Sequence, residues 1–173
     1  MLCANVVGTP SVVYDFGRFG AKRFRTEFAN AGEDHLFWME LARSGARVAF
    51  SSRCEVRCGR GVNVYSGSGW DTAQHLLRIH NEMKYRKVAA RLFALTPGQQ
   101  AHLTGAIRGL RVAFARDVLH RLATRQRLPL RMLAAHLPFD PLSYLRLPGV
   151  AASVAAGRLA TRWRGKSRED RLP

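Results

Sequence analysis

Gly32-Glu33-Asp34-His35-Leu36-Phe37-Trp38 is the part of the sequence that says most about how the chain folds. The acidic pair follows a glycine and precedes an apolar run, and carboxylates favour the positive end of a helix dipole. The pattern therefore predicts a helix over residues 33–44, which Gly45 ends. Two adjacent carboxylates at the start of a helix either cap it or supply a catalytic base, so the pair has two interpretations.

Short β-branched runs lie on both sides of this helix. Val6-Val7 and Ser11–Tyr14 precede it, separated by a glycine and a proline, and they read as one interrupted strand or two short ones. Residues 47–51 and 54–57 follow it and read as strands as well. This part of the chain is therefore mixed, with strand-like runs on both sides of one helix.

From Trp70 onward the pattern becomes helical. Thr96-Pro97-Gly98-Gln99 predicts a helix start, with Thr96 as the N-cap, Pro97 at the first position and Gln99 closing a capping box. Apolar residues then recur at helical spacing. They are Leu103, Ile107, Leu110, Phe114, Val118 and Leu122. The sequence thus predicts two regions, a mixed one over 1–84 and an α-helical extension over 85–173.

Positive charge is concentrated in the second region. The net charge of the 173 residues is +16; residues 1–84 hold 11 Lys and Arg against 8 Asp and Glu, whereas residues 85–173 hold 17 against 4. We expect such a region to bind an anionic partner, either nucleic acid or an acidic membrane surface. The alternative is that its arginines form a solvated face.

The cysteines and the hydropathy indicate a cytoplasmic protein. Cys3, Cys54 and Cys58 are an odd number of thiols, which argues for reduced cysteines, and their spacing offers no zinc site. No basic segment with an apolar core opens the chain, and no run of about 18 apolar residues occurs, so neither a signal peptide nor a spanning helix is predicted.

Several motifs in a fixed order resemble a known enzyme family. They are Asn5 to Val13, Phe24 to Phe28, Gly32-Glu33-Asp34 and Gly45-x-Arg47-Val48. Over about residues 4–84 they look like the C-terminal, acceptor-side part of a family 2 inverting glycosyltransferase of GT-A fold. The resemblance implies an α/β fold class, with a partial, Rossmann-like GT-A half followed by the α-helical extension. It also implies transfer of sugar from a nucleotide-sugar donor to a glycan or lipid-linked acceptor, as in polysaccharide biosynthesis.

The resemblance also implies roles for single residues. Asp34 would be the general base, and Glu33 would orient the loop or contact the acceptor. Thr9 and Ser11 lie where the acceptor-side strand of the family would run, and either hydroxyl could bind an acceptor hydroxyl. Hydrogen bonding to the neighbouring backbone is the alternative for both.

A glycine-dense segment over residues 59–69 is the second candidate site. With Arg57 and Arg60 it resembles the family's segment that closes over the donor, where an arginine can neutralise the departing diphosphate. A surface turn with solvated arginines is the alternative. The Gln-x-x-Arg-Trp motif of processive members is lacking, which disfavours synthesis of long polymers.

The donor-binding half of that family would precede residue 5. It carries the Asp-x-Asp type motif that holds a metal ion and the diphosphate, and this sequence contains no Asp-x-Asp. The resemblance implies a nucleotide-sugar donor with Mn²⁺ or Mg²⁺ for the full enzyme, and none held by this chain alone. We expect a fragment, a truncated reading frame, or a subunit that needs a separate donor-binding polypeptide and is inactive alone.

The basic helices are expected to act at a membrane. Residues 103–163 could rest on the inner face of the plasma membrane, with leucine and aromatic side chains inserted and arginines on acidic headgroups. The rival class is a basic helical nucleic-acid-binding protein without catalysis. No helix-turn-helix spacing, zinc-finger pattern or aromatic-basic ribonucleoprotein motif favours it.

Overall fold

The computed structural model describes residues 7–28, 32–54, 56–57 and 68–157. The chain divides into two compact units, Met1–Arg108 and Gly109–Pro173. A 3-10 turn over Thr9–Ser11 comes first, and six helices follow. They are α1 Phe16–Phe19, α2 Glu33–Arg43, α3 His75–Leu92, α4 Pro97–Ala123, α5 Leu130–Phe139 and α6 Leu142–Leu145. Residues 147–157 are helical as well.

The predicted α/β fold, a partial Rossmann-like GT-A half, is wrong. No strand and no sheet occur among the residues that the structure describes, which are helical or irregular. Where a strand was predicted over Ser11–Tyr14, the chain first makes the 3-10 turn, in which the Ser11 backbone N–H donates to Gly8 O at 2.8 Å. Pro10 favours this turn, because its ring fixes φ and its nitrogen cannot donate to a ladder.

The strands predicted over 47–51 and 54–57 are absent from their described residues too. This part of the chain is irregular, and the side chains of Val48 and Phe50 are 58% and 76% exposed. A strand is stabilised by hydrogen bonds to a neighbour, and the described residues set no strand beside these runs. Val6, Glu55 and the segment 58–67 lie outside the described residues.

The helix predicted after Gly32 is confirmed as α2, and it ends as its sequence indicates. Gly45 has a φ of +83°, in the left-handed region that favours glycine. Its N–H donates to Ala42 O at 3.1 Å, and the N–H of Ala46 donates to Leu41 O at 3.1 Å. These two bonds form a Schellman motif, which satisfies carbonyls that the helix end would otherwise leave free.

Helix α2 is buried on two sides. Phe37, Trp38 and Leu41 pack with Phe19 of α1, whereas Leu36 and Met39 pack with Phe28 and with Ala89 of α3. A helix that is apolar almost all round is typically buried. The packing fixes α2, and with it the position of its acidic N-terminus.

The predicted capping box is also confirmed. The N–H of Thr96 donates to Gln99 Oε1 at 2.9 Å, and the N–H of Gln99 donates to Thr96 Oγ1 at 3.3 Å. Helix α4 begins at Pro97 and continues to Ala123. No helix in the described part of the chain combines the length and the apolar character needed to cross a membrane.

The unit Gly109–Pro173 is held together by a buried polar network. The guanidinium of Arg111 donates to both oxygens of Asp140, at 2.7 Å and 2.9 Å, and the hydrogen bond raises the pKa of Arg111. Ser143 Oγ donates to Asp140 Oδ2 at 2.6 Å. The ring of His136 stacks on Phe114 at 4.3 Å. This network joins α4 to the turn between α5 and α6, and bidentate charged hydrogen bonds are among the stronger ones in proteins.

Candidate functional site at the start of helix α2

Two residues predicted for the site, Thr9 and Asp34, are in contact. Thr9 Oγ1 donates a hydrogen bond to Asp34 Oδ2 at 3.0 Å across a separation of 25 residues, and the pair is exposed. The other carboxylate oxygen, Oδ1, accepts from the backbone N–H of His35 at 2.7 Å. Asp34 therefore presents one oxygen to the helix and one oxygen to a hydroxyl group.

Gly32 determines the direction in which the backbone enters helix α2 at this site. It is the N-cap of α2 and has a φ of +88°. A Cβ added there would lie 2.4 Å from ring atoms of Tyr85, so this position has no room for a side chain. The glycine lets the backbone pass close to α3 and places the acidic pair beyond it.

Glu33 brings an unsatisfied oxygen to the same helix start. Within the described part of the chain its Oε2 is buried and has no hydrogen-bond partner, although the residue as a whole is only partly buried. A buried acceptor without a donor costs about 1–3 kcal/mol. A ligand hydroxyl that donated a hydrogen bond to this oxygen would remove that cost. Glu33 would then contact the acceptor, which is the role predicted for it.

The other predicted site residues do not join this pair. Ser11 Oγ donates to Gly8 O at 2.7 Å, inside its own turn. Arg57 is exposed in an irregular stretch, and among the described residues no contact ties it to Asp34. Arg60 lies outside the described residues, as does most of the glycine-dense segment 59–69.

A cavity of about 580 Å³ opens beside the Thr9–Ser11 turn, within the unit Met1–Arg108. Arg18, Arg47 and Arg53 line it, together with Asp15, whose side chain accepts from the backbone N–H of Arg18. Its aromatic wall consists of Tyr14, Phe19, Trp38 and Phe50. Arginines recognise phosphate oxygens, and aromatic rings offer flat faces for sugars and bases to pack on.

Most residues of this cavity were not predicted from the sequence. Arg47 is the exception, because it belongs to the Gly45-x-Arg47-Val48 motif. Arg18 lies in α1 and Arg53 lies 35 residues further on in an irregular part of the chain, so no local spacing brings them together. The cavity exists because both flanks of α2 fold onto the same buried helix.

A serine, a histidine and an aspartate also meet in the unit Gly109–Pro173, but not as a nucleophilic site. Ser143, His136 and Asp140 are 0%, 0% and 1% exposed. The Ser143 hydroxyl gives its one proton to Asp140, so His136 Nε2, 3.1 Å from the same oxygen, cannot accept that proton. A nucleophilic serine needs the histidine as its base and an approach for substrate. The three residues instead belong to the packing of α4, α5 and α6.

No group of three His, Cys, Asp or Glu side chains able to hold a metal ion is found among the described residues.

Comparisons with protein-family models, with curated proteins and with solved structures find no match to this chain.

Proposed function

We propose that this chain carries the acceptor side of an inverting sugar transfer, in which a nucleotide sugar gives its sugar to a glycan or lipid-linked acceptor. The observation that carries the proposal is the hydrogen bond from Thr9 Oγ1 to Asp34 Oδ2. A carboxylate oxygen that holds a protein hydroxyl at 3.0 Å has the reach and exposure to hold a substrate hydroxyl, which is the geometry a general base needs.

The proposed chemistry uses Asp34 as the base. The acceptor hydroxyl gives its proton to Asp34 Oδ2 while its oxygen forms a bond to the anomeric carbon of the donor. The bond between that carbon and the nucleoside diphosphate breaks, and its electron pair leaves with the phosphate oxygen. Attack opposite to the leaving group inverts the anomeric centre. The backbone N–H of His35 holds the other oxygen of Asp34, which keeps the carboxylate oriented.

Two neighbouring features support a sugar substrate. The unpartnered Oε2 of Glu33 can accept from a second acceptor hydroxyl. The cavity combines arginines for a phosphate group with aromatic rings for a sugar. We therefore assign the cavity to a phosphorylated part of the reactants, with Arg18, Arg47 and Arg53 as its contacts.

The proposal is tested in the native cell extract, which supplies the acceptors and any other component that the transfer requires. The extract is depleted of the chain with an immobilised antibody and given labelled nucleotide sugars. Adding back the recombinant chain should restore transfer of label onto endogenous acceptors. Thr9→Val, which removes one hydroxyl, should raise the acceptor KM by roughly tenfold, the usual cost of one hydrogen bond in a site.

The matched control is Thr104→Val, at an exposed position of α4, which should restore transfer like the unaltered chain. Two results would contradict the proposal. One is that depletion causes no loss of transfer from any nucleotide sugar. The other is a product with retained anomeric configuration.

A further inference from the structure

All the exposed formal charge of residues 109–157 is positive, with histidine counted as neutral. The two carboxylates in this range, Asp117 and Asp140, are 0% and 1% exposed and are bridged by Arg121 and Arg111. Five further arginines in the range are exposed. They are Arg116, Arg125, Arg127, Arg131 and Arg146. This surface therefore repels other basic surfaces and attracts anionic ones.

The same part of the chain exposes leucines on α5 and α6, two helices that are joined by a hydrogen bond from the Tyr144 hydroxyl to Leu133 O at 2.6 Å. Four leucines of these helices are exposed, and we call them the leucine surface. They are Leu130, Leu137, Leu142 and Leu145, with exposures of 71%, 50%, 48% and 73%.

Within each of the two helices, the sequence spacing places the leucines close together. Leu130 and Leu137 are seven residues apart, two turns along one face of α5, and Leu142 and Leu145 are three apart on α6. Arg131 and Arg146 each follow one of the leucines directly in the sequence. A surface on which apolar and cationic side chains are neighbours suits the boundary between water and lipid.

We propose that the leucine surface binds an anionic lipid bilayer, with its leucines inserted at the acyl boundary and the neighbouring arginines on headgroup phosphates. This inference goes beyond sugar transfer and does not depend on it. If both hold, a membrane-bound chain would meet lipid-linked acceptors where they lie.

A bilayer fits these residues better than the other anionic partner. Nucleic acid would bind the arginines, but it would leave four leucines in water without any gain. A second copy of the chain would cover the leucines only by bringing two sets of arginines together. A bilayer satisfies both groups at once, because its interior takes the leucines and its acidic headgroups take the arginines.

The test is sedimentation of the full chain with vesicles of phosphatidylcholine, with and without phosphatidylglycerol. The chain should bind the anionic vesicles and only weakly the neutral ones. Leu130→Gln with Leu145→Gln should lower the partition coefficient at least about tenfold at every salt concentration. Arg131→Gln with Arg146→Gln should lower it about twentyfold at low salt and much less at high salt.

The matched controls lie on α3. Leu77→Gln and Arg91→Gln change an exposed leucine and an exposed arginine of the other unit and should leave binding unchanged. Circular dichroism checks that every variant keeps its helix content. The proposal is overturned if anionic vesicles do not bind the chain, if the leucine pair binds like the unaltered chain, or if duplex DNA displaces the vesicles at equal phosphate.

Discussion

Gly32 is the residue on which the geometry of the acidic pair depends most. Its left-handed φ of +88° turns the chain into α2, and its missing side chain lets Tyr85 of α3 lie against the backbone. The ring of Tyr85 also contacts His35, with 5.5 Å between ring centroids. One glycine thus aligns the N-terminus of α2 with its neighbour, and Asp34 follows two residues later.

Gly32→Ala should destabilise the unit Met1–Arg108 by roughly 2–4 kcal/mol, from left-handed strain together with the displaced ring of Tyr85. Chemical denaturation of the full chain measures the change in the free energy of unfolding. Gly105→Ala is the control, since a Cβ there meets nothing within 4 Å in the middle of α4. That change should stabilise the chain by about 0.5–1 kcal/mol. Equal effects of the two substitutions would mean that Gly32 has no special conformational role.

Among the elements, the helices that local signals specify were predicted correctly, whereas the predicted strands do not occur among the described residues. Helix α2 has acidic residues in its first turn and a glycine at its end, and α4 has its capping box. These signals act within a few residues, so the sequence suffices. The runs over 11–14 and 47–51 have strand composition, but a strand also needs a neighbour, and propensity alone cannot supply one. The contact between Thr9 and Asp34 was not predicted, because the two residues lie 25 positions apart and no local spacing links them.

Helix α3 should make stability depend on pH through His80. Burial lowers the pKa of His80 below its ordinary value of 6.5, and the nearby charges of Lys84 and Lys87 lower it further. The unfolded chain then binds a proton at a higher pH than the folded chain does. The stability that comes from neutral His80 is therefore fully present above about pH 6.5 and is lost as the pH falls through the lowered pKa.

His80→Gln should remove this part of the pH dependence. Urea titrations between about pH 7 and pH 5 should show that the free energy of unfolding falls less for the variant than for the unaltered chain. The control is His102→Gln, at an exposed position of α4. Its free energy of unfolding should fall by the same amount as that of the unaltered chain. If His80→Gln lost as much stability on acidification as the unaltered chain, this pH dependence would come from other groups.

At the scale of the whole molecule, the two units carry different chemistry. The unit Met1–Arg108 holds the Thr9–Asp34 pair and the arginine-lined cavity. The unit Gly109–Pro173 holds a buried network of Arg111, Asp140 and Ser143 beneath an exposed basic and leucine-rich surface. The charge imbalance of the sequence indicated that positive charge is concentrated towards the C-terminal end of the chain. It could not show that the carboxylates of residues 109–157 are buried, which leaves the surface with positive charge alone.

The proposed role of Asp34, as the base that takes the proton of the acceptor hydroxyl, is tested by the turnover of Asp34→Asn. In depleted extract supplemented with the variant, kcat should fall about a hundredfold or more, the usual scale for a lost general base. The melting temperature should fall only modestly, since the one oxygen of an asparagine can keep one of the two hydrogen bonds that Asp34 accepts from Thr9 and from the N–H of His35. Asp71→Asn, an exposed aspartate of the same unit, should keep full turnover. A folded Asp34→Asn chain with unchanged turnover would remove Asp34 from the mechanism and contradict the account.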